Sequence, residues 1–206
     1  MTRDDAPTSN YRLDLAYDGR AYFGWQRHGD QPTVQGAIED ALTACFEVHS
    51  AVMGSGRTDR GVHANGQVAN VLLPADLDVE SAKSALRGAL PADIQLLDLT
   101  PVADDFHARD DAKAKTYRYV IWNAPECPEA EVGRVWHVPR ALDVQAMRPA
   151  CRVFEGNHDF ASFAKKPNFV RASTVRRVHS IQLTQDGERI EITLREAGPD
   201  PEVERP

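Results

Sequence analysis

What most constrains the fold of this chain is the succession of locally marked strands and helices in its first half. Strict alternation over Tyr11-Arg12-Leu13-Asp14-Leu15-Ala16-Tyr17 predicts a strand with one buried face. Thr33 can then N-cap a helix that carries Val34, Ile38, Ala41, Leu42 and Cys45 on one apolar stripe. Short strands are predicted at residues 51–53 and 67–72. Asp78 caps a second helix running through Ala82, Ala85, Leu86 and Ala89 and closed by Pro91, and a strand follows at 94–99. The order is βαββαβ.

That order defines a ferredoxin-like unit, and the second half begins in the same way. Residues 116–122 read as a strand, and 143–154 as a helix with Gly156 beyond its end. Pro149 lies inside the helical pattern, where it removes a backbone hydrogen bond. Two alternating segments, 178–184 and 189–195, meet at Asp186-Gly187, a strong hairpin signal. The pattern βαββ then stops. Residues 196–206 have no periodicity and contain Pro199, Pro201 and Pro206, so a disordered tail is expected there.

Composition narrows the class. With 206 residues, 42% hydrophobic and 27% charged, the chain suits one or two globular domains. Cys45, Cys127 and Cys151 are far apart, no C-x-x-C pair exists, and the histidines form no ligand-spaced cluster. Neither a disulfide framework nor a metal site is predicted. Free thiols, a polar start without a signal peptide, and no stretch of membrane-spanning length together point to the cytoplasm and away from membranes. The net charge of −7 argues against a generally basic nucleic-acid binder, yet the charge is uneven. Between residues 160 and 185 stand Lys165, Lys166, Arg171, Arg176 and Arg177 with no Asp or Glu. Lys113, Lys115 and Arg118 form a second basic stretch. Such local clusters are what a phosphate backbone requires.

The chemistry concentrates in Gly56-Arg57-Thr58-Asp59-Arg60-Gly61-Val62-His63-Ala64. One carboxylate, Asp59, sits between two arginines. Neighbouring cations favour the ionised form, which is the form able to act as nucleophile or base. Arginine forks also suit phosphate. Taken alone, the run reads more readily as a surface loop whose Arg-Asp pairs are merely solvated than as a site.

Other runs accompany it in a fixed order. Upstream stand Tyr17-Asp18-Gly19-Arg20-Ala21-Tyr22-Phe23-Gly24-Trp25-Gln26 and Thr33-Val34-Gln35. Downstream come Gly66-Gln67-Val68, Asp105-Phe106-His107-Ala108-Arg109 and Lys115-Thr116-Tyr117-Arg118-Tyr119. From about residue 11 to about residue 195 this set resembles the tRNA pseudouridine synthases of the TruA family. The resemblance implies an α+β protein of the pseudouridine synthase fold, two ferredoxin-like halves around a central antiparallel sheet. The halves would be residues 11–104, with the catalytic loop, and 105–195, with 196–206 as the tail.

The resemblance also implies a function. The chain would isomerise uridines 38, 39 and 40 of the tRNA anticodon stem-loop to pseudouridine, without cofactor or metal, as a homodimer. Asp59 matches the catalytic carboxylate. Arg57 matches the arginine that helps to flip the target nucleotide, and Tyr117 the tyrosine that lies against the base. Lys165, Lys166 and Arg171 are the expected RNA contacts. His63 and Gln67 are expected to line or support the loop, Trp25 to pack in the core, and Tyr119 to be an ordinary strand aromatic. Arg60 occupies a variable family position where it could add a phosphate contact. Relatives continue beyond the last strand into a Phe-Leu-x-x-Met-Val-Arg type segment that the resemblance does not reach. The second half is therefore expected to be incomplete. The alternative function is a catalytically impaired RNA-binding remnant or a truncated gene product of the same family.

Overall fold

The local signals of the first half become real elements because its two helices are capped by Thr33 and Asp78 and its first strand alternates buried with less buried residues. In a computed structural model, residues 7–163 and 173–198 are described. The chain divides into two units, Met1–Asp111 and Ala112–Pro206.

In the first unit, β1 (Thr8–Tyr17) carries Tyr11, Leu13, Leu15 and Tyr17 on its buried face. Helix α1 (Val34–Phe46) starts where the Thr33 hydroxyl accepts from the Gly36 amide at 3.2 Å. It ends at Glu47, whose φ of 56° breaks the helix in the left-handed region. The strands β2 (Met53–Gly54) and β3 (Ala64–Pro74) follow. Helix α2 (Val79–Ala89) is capped by Asp78, which accepts from the Ser81 amide at 2.9 Å. Strand β4 (Ile94–Pro101) completes the unit.

These strands form a four-stranded sheet in the order β2-β3-β1-β4, antiparallel at every pairing. Leu13, Leu15, Ile38, Leu42, Leu73, Leu86 and Leu99 are all fully buried in one core where both helices cover the sheet. Burying a side chain of this size contributes about 1.5–3 kcal/mol. The buried Asn10 ties down the chain that follows β4. Its amide donates to Phe106 O at 2.7 Å, and Asn70 in turn accepts from the Ala108 amide at 3.0 Å. The Asp105–Arg109 run is thereby pinned to β1 and β3.

The second unit contains β5 (Ala114–Trp122), β6 (Trp136–His137), α3 (Val144–Val153), β7 (Gly156–Asp159), β8 (Val175–Asp186) and β9 (Arg189–Ala197). Its sheet runs β6-β5-β9-β8-β7. The β5-β9-β8 core has the same order as β1-β3-β2, so the second pattern does repeat the first. The β8–β9 turn closes with Asp186 opposite Arg189 and Gly187 at a φ of 56°. Helix α3 passes through Pro149 and contributes Val144 to a small core with Ile121, Leu183 and Ile190.

The fold is α+β, of the pseudouridine synthase type. Among the described residues each unit holds one sheet. Two details depart from the expectation. The pairing is antiparallel except where β6 runs parallel to β5 over two residue pairs. Strands β6 and β7 were not foreseen. All their residues are exposed, so neither shows the alternation that marks a half-buried strand.

Candidate active site

The run 56–64 links β2 to β3, above the end of β1 where Tyr17 pairs with Ala64. Its inner side is held by side chains from the other motif runs. Ser55 donates its amide to Val68 O at 2.8 Å and its hydroxyl to Gln67 Oε1 at 3.0 Å. The buried Gln67 amide donates to Gly56 O at 2.7 Å. Below the loop centre, the hydroxyls of Tyr17 and Thr58 lie 2.9 Å apart. Burial pushes the Tyr17 phenol above its ordinary pKa, against the opposing hydrogen bonds from Thr58 and Gln67.

The segment before α1 holds the loop from the side. Trp25 donates its amide to Thr58 O at 3.0 Å, and the Gly61 amide donates to Tyr22 O at 3.3 Å. This approach is possible because residues 19 and 24 are glycine. Gly24 has a φ of 105°, and a Cβ there would lie 2.7 Å from Thr58 O. A Cβ on Gly19 would lie 2.0 Å from Val62 O. The Val62 amide donates to Asp59 O at 3.2 Å, closing the turn that carries the carboxylate.

The outer side of the loop bears its charges. Arg57, Asp59 and Arg60 are exposed. Among the described residues, Arg57 and Asp59 have no side-chain hydrogen bond or ion pair, with each other or elsewhere. The reading of Arg57 as a salt-bridge partner is therefore not what the structure shows. The Arg60 guanidinium lies 4.2 Å over the Phe23 ring, away from any pairing with Asp59. An exposed carboxylate on a backbone clamped from two directions is a chemically available group.

Asp18 stands beside the loop. It pairs with Arg20 at 2.6 Å and with His63 Nδ1 at 3.3 Å. The Arg20 hydrogen bonds hold its carboxyl at about 2, below the ordinary value. A depressed pKa stabilises the fold above the unfolded value of about 3.9, and that stabilisation is lost as pH falls through the folded value. The stability advantage of wild type over Asp18→Asn is accordingly expected to be full at pH 5 and to vanish toward pH 2. Urea titrations across that range measure it.

Tyr117 belongs to the second unit, on β5 opposite Leu194, and is 44% exposed. Partial burial, then the Glu196 charge, push its phenol above the ordinary value, so the ring stays neutral. Tyr119 is 60% exposed on the same strand. Lys165, Lys166 and Arg171 lie outside the described residues. Of the remaining basic cluster, Arg176 is engaged with Glu196 at 3.4 Å. Trp25 is in the core at 2% exposure, as expected. The Tyr17–Thr58 contact and the Arg60–Phe23 stack escaped the sequence reading, because no local pattern announces a contact between distant residues. Among the described residues there is no group of three or more His, Cys, Asp or Glu placed to hold a metal ion. Among the same residues no helix is long and apolar enough to cross a membrane.

Comparison with known proteins places this arrangement. A family described as tRNA pseudouridine synthase matches residues 15–110, which hold the loop and its supports. The tRNA pseudouridine synthase A of Methylacidiphilum infernorum is 42% identical over 188 residues, covering 91% of this chain and 74% of that protein. That of Caldicellulosiruptor saccharolyticus is 41% identical over 189 residues, covering 92% and 77%. A tRNA pseudouridine synthase A 2 from Clostridium perfringens is 39% identical over the same length and with the same coverage. With this much identity over most of both chains, the protein belongs to the tRNA pseudouridine synthase A family.

Proposed function

We propose that this chain isomerises uridines 38, 39 and 40 of the tRNA anticodon stem-loop to pseudouridine, with Asp59 as the catalytic carboxylate. The observation that carries the reading is the exposed Asp59 side chain, unpaired among the described residues, on a loop built from the family's own motif residues. The reaction breaks the bond between N1 and C1′, turns the base and joins C5 to C1′. The C5 hydrogen leaves to solvent, so no electrons change hands and no group donor is needed. Asp59 would act as nucleophile or base toward the nucleotide.

A target base in a stem must first leave its stack, at a cost of a few kcal/mol. Arg57, exposed two residues from Asp59, would help to hold the flipped nucleotide. Tyr117 would offer its neutral ring to the base, and such stacking contributes about 1–3 kcal/mol. Lys165, Lys166 and Arg171 would contact phosphates, so replacing both lysines with Ala is expected to flatten the salt dependence of tRNA binding. The working form would be a cytoplasmic homodimer.

The direct test is tritium release from tRNA carrying 5-tritiated uridine. Release confined to transcripts with uridine at those positions supports the proposal. Tight tRNA binding with no release would identify a binding protein instead.

A further inference from the structure

We infer that the guanidinium of Arg60, seated on Phe23, is a phosphodiester contact that admits the RNA strand to Asp59; the inference rests on the RNA-modifying reading above. Three observations carry it. The first is that the position of Arg60 is fixed. It lies inside the turn closed by Val62 N–H to Asp59 O, and its neighbour Gly61 is bonded to Tyr22 O, one residue before Phe23. The backbone that carries the arginine and the backbone that carries the ring are thus tied together.

The second observation is that the charge is unspent. Arg12, Arg20, Arg27, Arg176 and Arg189 each rest on a carboxylate. Arg60, like Arg57 on the same loop and in a chain with 31 acidic and 24 basic residues, has none among the described residues, although Asp59 adjoins it in sequence. The third is the stack itself. The guanidinium carbon is 4.2 Å from the centroid of a ring that is 45% exposed. A guanidinium held over a ring face, with no carboxylate partner among the described residues, keeps N–H donors available to a phosphate, which can accept from two at once.

The electrostatics call for such a group. A strand that brings its nucleotide to an ionised carboxylate on an acidic protein meets repulsion at the last few ångströms. A fixed cation one residue from that carboxylate offsets it where the offset matters, and carries little sequence information.

The test is binding of an anticodon stem-loop RNA over a series of salt concentrations, with turnover measured in parallel. Arg60→Gln is expected to weaken binding about tenfold and to lower the slope of log K against log salt by about 0.7–0.9, one phosphate's share. The larger part of any kinetic loss should appear in KM. Arg60→Lys keeps the slope and loses part of the affinity. Phe23→Leu also keeps the slope and weakens binding a few-fold, since the charge survives without its seat. An Arg60→Gln slope equal to wild type overturns the inference and leaves Arg60 as a cover for Phe23. Failure of the wild type to form pseudouridine would sink the functional reading but not this one, which binding alone decides.

Discussion

Asp59→Asn is expected to reduce pseudouridine formation by at least about a thousandfold while leaving the fold untouched. Loss of a nucleophile or base from a site whose other parts remain typically costs this much or more. The same substitution on an exposed side chain without partners among the described residues should change stability by no more than about 0.5 kcal/mol. The two measurements, tritium release and urea unfolding, must therefore part company. Equal turnover in the asparagine variant would remove Asp59 from the mechanism. A large loss of stability would show that its carboxylate supports the loop rather than serving the reaction.

Gly24→Ala is expected to do the reverse, damaging structure first and activity as a result. A φ of 105° is strained for any residue with a Cβ, and here the Cβ would also press to 2.7 Å from Thr58 O, a backbone atom with little room to retreat. Strain of this kind costs about 1–3 kcal/mol, and overpacking adds a similar amount. The loop should move off Trp25, and turnover should fall by more than about tenfold. Gly66→Ala provides the control, since its Cβ would meet nothing within 4 Å. If the Gly24 variant melts and turns over like the Gly66 variant, the close packing of the two motif runs does not matter to the enzyme.

How much of this was legible before the structure depended on how far each signal reaches along the chain. Thr33 and Asp78 announced their helices because a cap and its amide lie three residues apart. Alternation along β1, and the Asp186-Gly187 turn, are equally local. Strand β2 shrank to Met53–Gly54, since its length depends on pairing with β3. Gly156–Asp159 became a strand only through its partner β8. The site divides in the same way. The run 56–64 identified Asp59 by resemblance and could suggest Gln67 as a support. No spacing could show that Thr58 faces Tyr17 while Asp59 faces out, or that Arg60 would choose Phe23 over its neighbour.

The Tyr17–Thr58 contact bridges 41 positions of chain, and this sets an order in time. Closing so long a span costs entropy that a single hydroxyl pair does not return. The β1–β3 ladder must form first and deliver both groups to the same place. Trp25 is bound to Thr58 through its amide and is 2% exposed, against 67% for Trp136. Its emission therefore reports the seating of the loop. In a refolding experiment, catalytic competence is a late acquisition: it should return in step with the burial of Trp25, after strand pairing has already been completed.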